Sequence, residues 1–499
     1  MPERDLSPEE FRELGHAYVD WIADYRARVG ELPVLPGVAP GWVRERLPAE
    51  LPEEGEPLTA VLADMDRVVV PATTHWQHPG FFAYFPANAS LASLLGDMLS
   101  TGLGSQGMLW STSPAATELE QHLLDRIADA TGLPAAFTFA GGGGGVIQDS
   151  ASSSSLVALL AALHRTSGGA WRTAGRDGRE VLYVSAQTHS SLEKAAIAAG
   201  LGADAVRTVA AGTDGQAMSA EALAAAVRED VAAGRRPVMV CATIGTTGTG
   251  AVDPVREIAA VCAEHGVWLH VDAAWAGAAA FCPEHRGLFD GAGLADSYST
   301  DGHKWLLTAF DCNLFWTRDP ATLTGALTVL PEYLRNAASE SGAVVDYRDW
   351  HLPLGRRFRA LKLWTVLRRF GLAGIRAHVR RHVELAAGLE AWAAADARFA
   401  LGPPRSLALV CLYVATGRGT DADTAAAIAA DNAATKAVLE RVNAGGRSYV
   451  THTVADGRYL LRVAVGGLET EERHVRALWD DLCAAADAVA GAEAPAGAG

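Results

Sequence analysis

Residues 237–272, PVMVCATIGTTGTGAVDPVREIAAVCAEHGVWLHVD, hold two short apolar runs, PVMVCATI (237–244) and VWLHVD (267–272), with a helical stretch between them. A strand, a helical crossover and a second strand make a parallel pair covered on both faces, so such strands read as continuous apolar runs. Working outward, the pattern recurs. VLYVSA (181–186) and CNLFWT (312–317) are further runs, ADSYST (295–300) adds another, and ATELEQHLLDRIADATGL (116–133) supplies a helix. From about residue 110 the chain therefore predicts an α/β domain with a mostly parallel central sheet.

On either side the pattern changes. PEEFRELGHAYVDWIADYRARV (8–29) spaces Phe11, Leu14, Tyr18, Trp21, Ile22 and Tyr25 by three and four, which predicts an amphipathic helix. Its anchors need a surface, either the chain's own body or a second subunit. A Pro/Gly-rich connection follows it. Residues 358–395 read as a long helical connector, and SLALVCLYVA, a helix near 422–441 and YLLRVAVGG read as a small α+β domain. The expected division is an N-terminal helical extension or dimerisation segment (1–85), a large domain (86–380) and a small C-terminal domain (381–499).

With 499 residues, 49% hydrophobic and 20% charged, the chain buries a large core. A formal net charge of -16 with no basic stripe argues against nucleic-acid partners. The six cysteines have no paired or metal-ligand spacing, and His75 and His78 in THWQH lack a third ligand, so no metal site is expected. The acidic N-terminus lacks the order of a secretory signal and no run is long enough to span a membrane, so a soluble, cytoplasmic protein is expected.

Ligands in open α/β sheets lie beyond the carboxyl ends of the strands. After VLYVSA come Gln187, Thr188 and His189; after PVMVCATI come Gly245, Thr246 and Thr247; VWLHVD ends on Asp272, followed by Ala273 and Ala274; ADSYST leads into Asp301, Gly302, His303 and Lys304. An imidazole, hydroxyls, a carboxylate and an amine thus gather at several strand ends. Such a set suits pyridoxal phosphate: an amine to bond the cofactor, a carboxylate for its ring nitrogen, a flat group to stack on the ring and a helix start for the phosphate. AGGGGGVIQDSASSSSLVALLAAL offers close backbone approach and hydroxyls ahead of a helix. Each residue also has a plainer reading: Asp272 as a helix cap, His189 as a satisfied polar group, the glycines as a flexible loop. Only four lysines occur, at 194, 304, 362 and 436, and Lys194 and Lys362 sit on helices rather than after a strand. Lys304 is the best amine.

The segments THWQHPGFFAYFPANAS, WSTSPAATELE, THSSLEKA, GTTGTGAVDP, WLHVDAAWAG, HKWLL, LPEYLRN and DYRDWHLPLGRRFRALKLW resemble those of the pyridoxal-phosphate-dependent (group II) decarboxylases, aromatic L-amino acid decarboxylases among them. The resemblance covers nearly the whole chain. It implies the aspartate-aminotransferase-like fold (fold type I) with a seven-stranded sheet, and a homodimer with its site near the interface. Lys304 is then the cofactor lysine, Asp272 the partner of the ring nitrogen, and His189 and Ala274 the residues on the two ring faces. Ala151, Ser152 and His303 belong to the phosphate site and Thr246 is a cofactor or substrate contact. Tyr333 is the loop tyrosine that returns a proton to the alpha carbon. Trp76, Tyr84, Phe85 and Pro86 form the substrate wall, and Gly355 leaves room for a larger ring. The implied reaction converts an aromatic L-amino acid to its arylalkylamine and carbon dioxide. An aldehyde-forming oxidative variant, a transaminase and a non-catalytic scaffold are the alternatives. Three positions depart from the family pattern: Asp149 for Gly, Ser153 for Glu and Asp301 for Asn.

Overall fold

The computed structural model describes residues 5–213, 215–329, 337–417 and 424–493. A helix, Pro8–Arg28, opens the described chain from a capping box in which the Ser7 hydroxyl and the Glu10 carboxylate each accept the other residue's backbone N–H. None of its residues is buried within this single chain. Tyr25 Oη meets His75 Nδ1 at 2.8 Å and Arg26 Nη1 donates to the Ala89 carbonyl at 2.7 Å, tying the helix to residues 75–89.

The large sheet contains β1 (Gly144–Gln148), β2 (Glu180–Ser185), β3 (Val206–Val209), β4 (Arg236–Thr243), β5 (Trp268–Asp272), β6 (Ser297–Asp301) and β7 (Asn313–Thr317), in the order β1-β7-β6-β5-β4-β2-β3. Every neighbouring pair is parallel except those involving β7, which runs antiparallel to both β1 and β6. The run CNLFWT is thus a strand of reversed direction. Only residues 302–312 separate it from β6, too few for the crossover that a parallel return requires. Trp268, Trp305, Trp316, Tyr183 and Phe315 fill the core around this sheet.

The glycine run differs from the expected phosphate turn. Gly144 and Gly145 lie inside β1, where a Cβ would stand 2.7 Å from the Phe139 and Trp350 rings, or 2.8 Å from Trp316. Glycine is required there so that indole rings can pack on the strand. The turn that starts a helix comes later, at Ser150.

The second sheet is antiparallel throughout: β8 (Phe399–Leu401), β9 (Leu409–Val414), β10 (Thr451–Ala455) and β11 (Arg458–Ala464), in the order β10-β11-β9-β8. Helix Ala425–Ala444 packs on it and against helix Glu472–Glu493. One long helix, Arg359–Ala394, joins the two parts and bends where Gly371 takes φ 60°. The expected boundary at residue 380 falls inside this helix. Lys362, in the first turn of this helix, is fully buried, 3.6 Å from Asp97. Among the described residues no helix is long and apolar enough to cross a membrane.

Candidate active site

Strands β6, β5, β4 and β2 are parallel neighbours, so their carboxyl ends share one edge of the sheet. Asp272 closes β5 there, buried, with Oδ1 accepting the Ala274 N–H at 2.9 Å. Burial pushes its carboxyl up, Lys304 and His189 pull it down, and Asp301 adds to the rise. These four residues from three strand ends therefore occupy one electrostatic neighbourhood. A buried carboxylate in this position gains strongly from a cation placed against it.

Lys304 lies in the turn after β6, its Nζ 2.6 Å from Asp301 Oδ2. The adjacent His303 is buried, accepts the Cys312 N–H on Nδ1 at 3.1 Å, and packs its ring 4.6 Å from that of Phe310. Burial lowers its basicity. Asn88 fixes this turn from outside. Its N–H donates to the His303 carbonyl, and its Nδ2 donates to the carbonyls of Lys304 (2.6 Å) and Gly466 (2.8 Å).

His189 stands exposed beyond β2, with Nδ1 accepting the Ser191 N–H at 3.2 Å. Thr246 is buried, and its hydroxyl is engaged by Thr249 and the Ala251 N–H. Ala274 is half-buried beside Asp272.

Helix Ala151–Ser167 begins at the same edge, capped by the Ser150 hydroxyl, which accepts the Ser153 N–H. Ala151 and Ser152 form its first turn, and its seventeen residues aim a macrodipole at whatever lies before it. Of the three departures from the family pattern, Asp149 accepts the Ser150 N–H, Ser153 bonds to Ser150, and Asp301 points at Lys304.

Residues 76–86 hold a cluster of aromatic side chains. Trp76 and Tyr84, 39% and 50% exposed, stack at 5.7 Å and 17°. Tyr84 holds a left-handed φ of 49°, and Tyr449, absent from the sequence reading, meets it hydroxyl to hydroxyl at 3.3 Å. Phe85 is buried, stacked on Trp275 at 4.9 Å and edge-on to Trp305 at 5.5 Å, and Pro86 is buried behind it. Gly355 lies instead on a small cavity with Gln148, Asp149, Ser153 and His351. Tyr333 lies outside the described residues.

Two further residues escaped the sequence reading. Asn88 had no signal in FPANAS. Arg462 did have one, as the sole charge in YLLRVAVGG. It is buried in β11, donates from Nε to the Thr247 carbonyl at 2.6 Å and from Nη1 to the Tyr84 carbonyl, and burial pulls it down to about 10. Arg356 is committed to Glu120 and the Ile147 carbonyl. Arg357 pairs with Asp97 at 3.0 Å.

These features fit pyridoxal phosphate: a buried carboxylate able to hold a ring nitrogen protonated, an amine on the next strand end, and a capped helix start facing the same edge. The chain matches the model of the pyridoxal-dependent decarboxylase conserved domain over residues 40–415. It is 46% identical to a tyrosine decarboxylase of Oryza sativa subsp. japonica over 487 residues, which cover 95% of this chain and 90% of that protein. It is 42% identical to a phenylacetaldehyde synthase of a Rosa hybrid cultivar, over 95% of this chain and 93% of that one. The crystal structure of Oryza sativa TDC with PLP and tryptamine superposes with a TM-score of 0.92 at 40% identity, covering 97% of this chain and 99% of that one. A family model spanning most of the chain, relatives matched almost end to end and a shared fold agree with the Lys304–Asp272 geometry: this chain belongs to the pyridoxal-dependent decarboxylase family.

Proposed function

We propose that this enzyme decarboxylates an aromatic L-amino acid to the corresponding arylalkylamine and carbon dioxide. The observation that carries the reading is the position of Phe85. Its ring packs against both Trp275, three residues after Asp272, and Trp305, the residue after Lys304, and these two indoles also meet at 5.8 Å. The aromatic wall and the reacting groups are therefore one packed unit, and a flat apolar side chain fits beside them.

Pyridoxal phosphate, when bound, supplies an electron sink for the pair left behind by the departing carboxyl group. Lys304 holds the cofactor between turnovers, and Asp272 keeps a proton on its ring nitrogen. Ala151, Ser152 and His303 receive the phosphate at the helix start. His189 and Ala274 would hold the cofactor ring from its two sides. Because His189 Nδ1 is occupied by the Ser191 N–H, its Nε2 is the nitrogen free to exchange a proton. Tyr333 returns the proton to the alpha carbon. Trp76, Tyr84, Phe85 and Pro86 orient the substrate ring, Thr246 contacts the cofactor or the substrate, and Gly355, on the cavity beside Asp149 and Ser153, leaves room for a larger ring. Bond choice would follow from how these residues orient the substrate's carboxyl group against the cofactor.

The test is carbon dioxide release with tryptophan, 5-hydroxytryptophan, dopa, tyrosine and phenylalanine, ranked by kcat/KM. Amino transfer without carbon dioxide release, or a strong preference for glutamate, overturns the reading. The similarity to a phenylacetaldehyde synthase supports a second reading, oxidative decarboxylation and deamination to an aldehyde. Retention of His189 and Tyr333 favours the amine; stoichiometric aldehyde, ammonia and hydrogen peroxide from the native chain would reverse that preference.

The enzyme acts as a homodimer in this reading. On helix Leu91–Leu103, Leu91, Leu95, Met98, Leu99 and Leu103 are all 49% exposed or more and repeat at helical spacing, an apolar face that suits a second copy. All six cysteines are free, which is in keeping with a reducing, cytoplasmic setting.

A further inference from the structure

Asp301 closes β6 and is buried. One carboxylate oxygen, Oδ2, faces Lys304 Nζ at 2.6 Å; the other, Oδ1, accepts a hydrogen bond from Asn313 Nδ2 at 2.7 Å. Asn313 is its direct cross-strand partner on β7, so sheet register fixes this donor. The Asn313 side-chain oxygen accepts in turn from the Ser154 hydroxyl, on the helix that begins at Ala151. The donors all run one way, from Ser154 to Asn313 to Asp301, and end on a carboxylate whose free side meets an ammonium. The Asp301 N–H also donates to the Ala274 carbonyl at 2.8 Å, which holds the strand end still.

Such a carboxylate is built to stay ionised. Burial works against its charge, but Lys304, His303 and Asn313 outweigh burial and hold it below the usual carboxylate range. The groups facing Lys304 are Asp301 on β6, Asp272 on β5 and His303 in its own turn, with His189 acting on Asp272 from beyond β2. Only Asp301 is in ion-pair contact with the amine among the described residues.

We infer that Asp301 is a positioning residue, the resting counter-ion that holds the Lys304 amine in the cofactor-free protein and must give it up before that amine can bond the cofactor. The inference rests on the reading of Lys304 as the cofactor lysine. It gives the aspartate a use that an asparagine would not serve. An amide there cannot neutralise an ammonium, whereas the carboxylate holds the amine in an ion pair at 2.6 Å.

The scarcity of lysine makes the test direct. Reductive methylation of the cofactor-free protein with labelled formaldehyde and cyanoborohydride reports each of Lys194, Lys304, Lys362 and Lys436. The rate for Lys304, normalised to exposed Lys194, is followed against pH. At about pH 8 the Asp301→Asn variant is expected to label Lys304 roughly fivefold to tenfold faster, and Asp301→Glu to return the rate towards that of the native chain. Equal normalised rates in the native and Asp301→Asn proteins overturn the proposal. A second measurement guards against a folding artefact. Lys304→Met should lower the melting temperature of the Asp301 protein, where it strands a buried carboxylate, far more than that of the Asp301→Asn protein. Additive losses overturn the proposal as well. Neither measurement involves turnover, so its failure leaves the reaction to be judged by carbon dioxide release alone.

Discussion

Arg462 Nε donates to the Thr247 carbonyl at 2.6 Å, joining a strand of the small sheet to the loop beyond β4 of the large one. The same guanidinium reaches the Tyr84 carbonyl, so one fork clamps three segments. Lysine cannot serve two divergent carbonyls in this way. Arg462→Lys is expected to raise KM for the aromatic substrate about tenfold, the worth of one such hydrogen bond, with a smaller change in kcat. Steady-state kinetics with thermal denaturation checks this; an unchanged KM would confine the clamp to folding.

Asp272→Asn keeps the shape of the strand end and removes its charge. The variant should retain covalently held cofactor, visible in absorbance and after borohydride reduction. It should also lose kcat by about 10²-fold or more, because the ring nitrogen is no longer held protonated.

Substrate preference should follow the half-exposed stack. Trp76→Ala removes one face of the Trp76–Tyr84 pair and is expected to lower kcat/KM for aromatic substrates by about 1–3 kcal/mol equivalent, with the ranking among them altered. Competition assays with mixed substrates read both effects. An unchanged ranking would place Trp76 in the packing rather than in the wall.

A charge on the open face of helix Leu91–Leu103 tests the assembly. Leu99→Glu, at one of its more exposed positions, should convert the enzyme to monomers in sedimentation velocity and lower its retention of cofactor. A native-like dimer in the variant would move the interface elsewhere.

Stability should fall on the acid side of neutrality. Burial is the leading cause that pushes His78 down to about 4 and His270 and His378 to about 3, against an ordinary 6.5. Each group is neutral when folded and takes up a proton when unfolded within that window. Their contribution is complete above pH 6.5 and is lost as pH falls towards 3–4. Melting temperatures measured across that range should decline, with proton uptake on unfolding seen by calorimetry in buffers of different ionisation enthalpy.

The division between what was legible in the sequence and what was not has physical causes. Strands β2, β4 and β5 announced themselves because burial on both faces demands unbroken apolar runs. Asp272 and His189 stood out as candidates because each lies at or just beyond the end of such a run, and Lys304 because it follows the run ADSYST. β1 was hidden because its first residues are glycines, chosen for the indoles that pack on them rather than for their own side chains. The reversal of β7 was hidden because composition carries no strand direction; only the length of the preceding turn does. Asn88 and Arg462 act on backbone carbonyls in segments distant in sequence. No local pattern records such a bond.

Asn88 also sets an order of events. Its amide bonds to the carbonyl of residue 304, 216 positions later, and to that of residue 466, 378 positions later, while its Oδ1 accepts the Leu468 N–H. On a ribosome, the lysine turn emerges long before its last tether has been synthesised. The fully tethered turn is thus a late product of translation, and a nascent chain stopped within the small sheet carries Lys304 without the full set of hydrogen bonds that positions it.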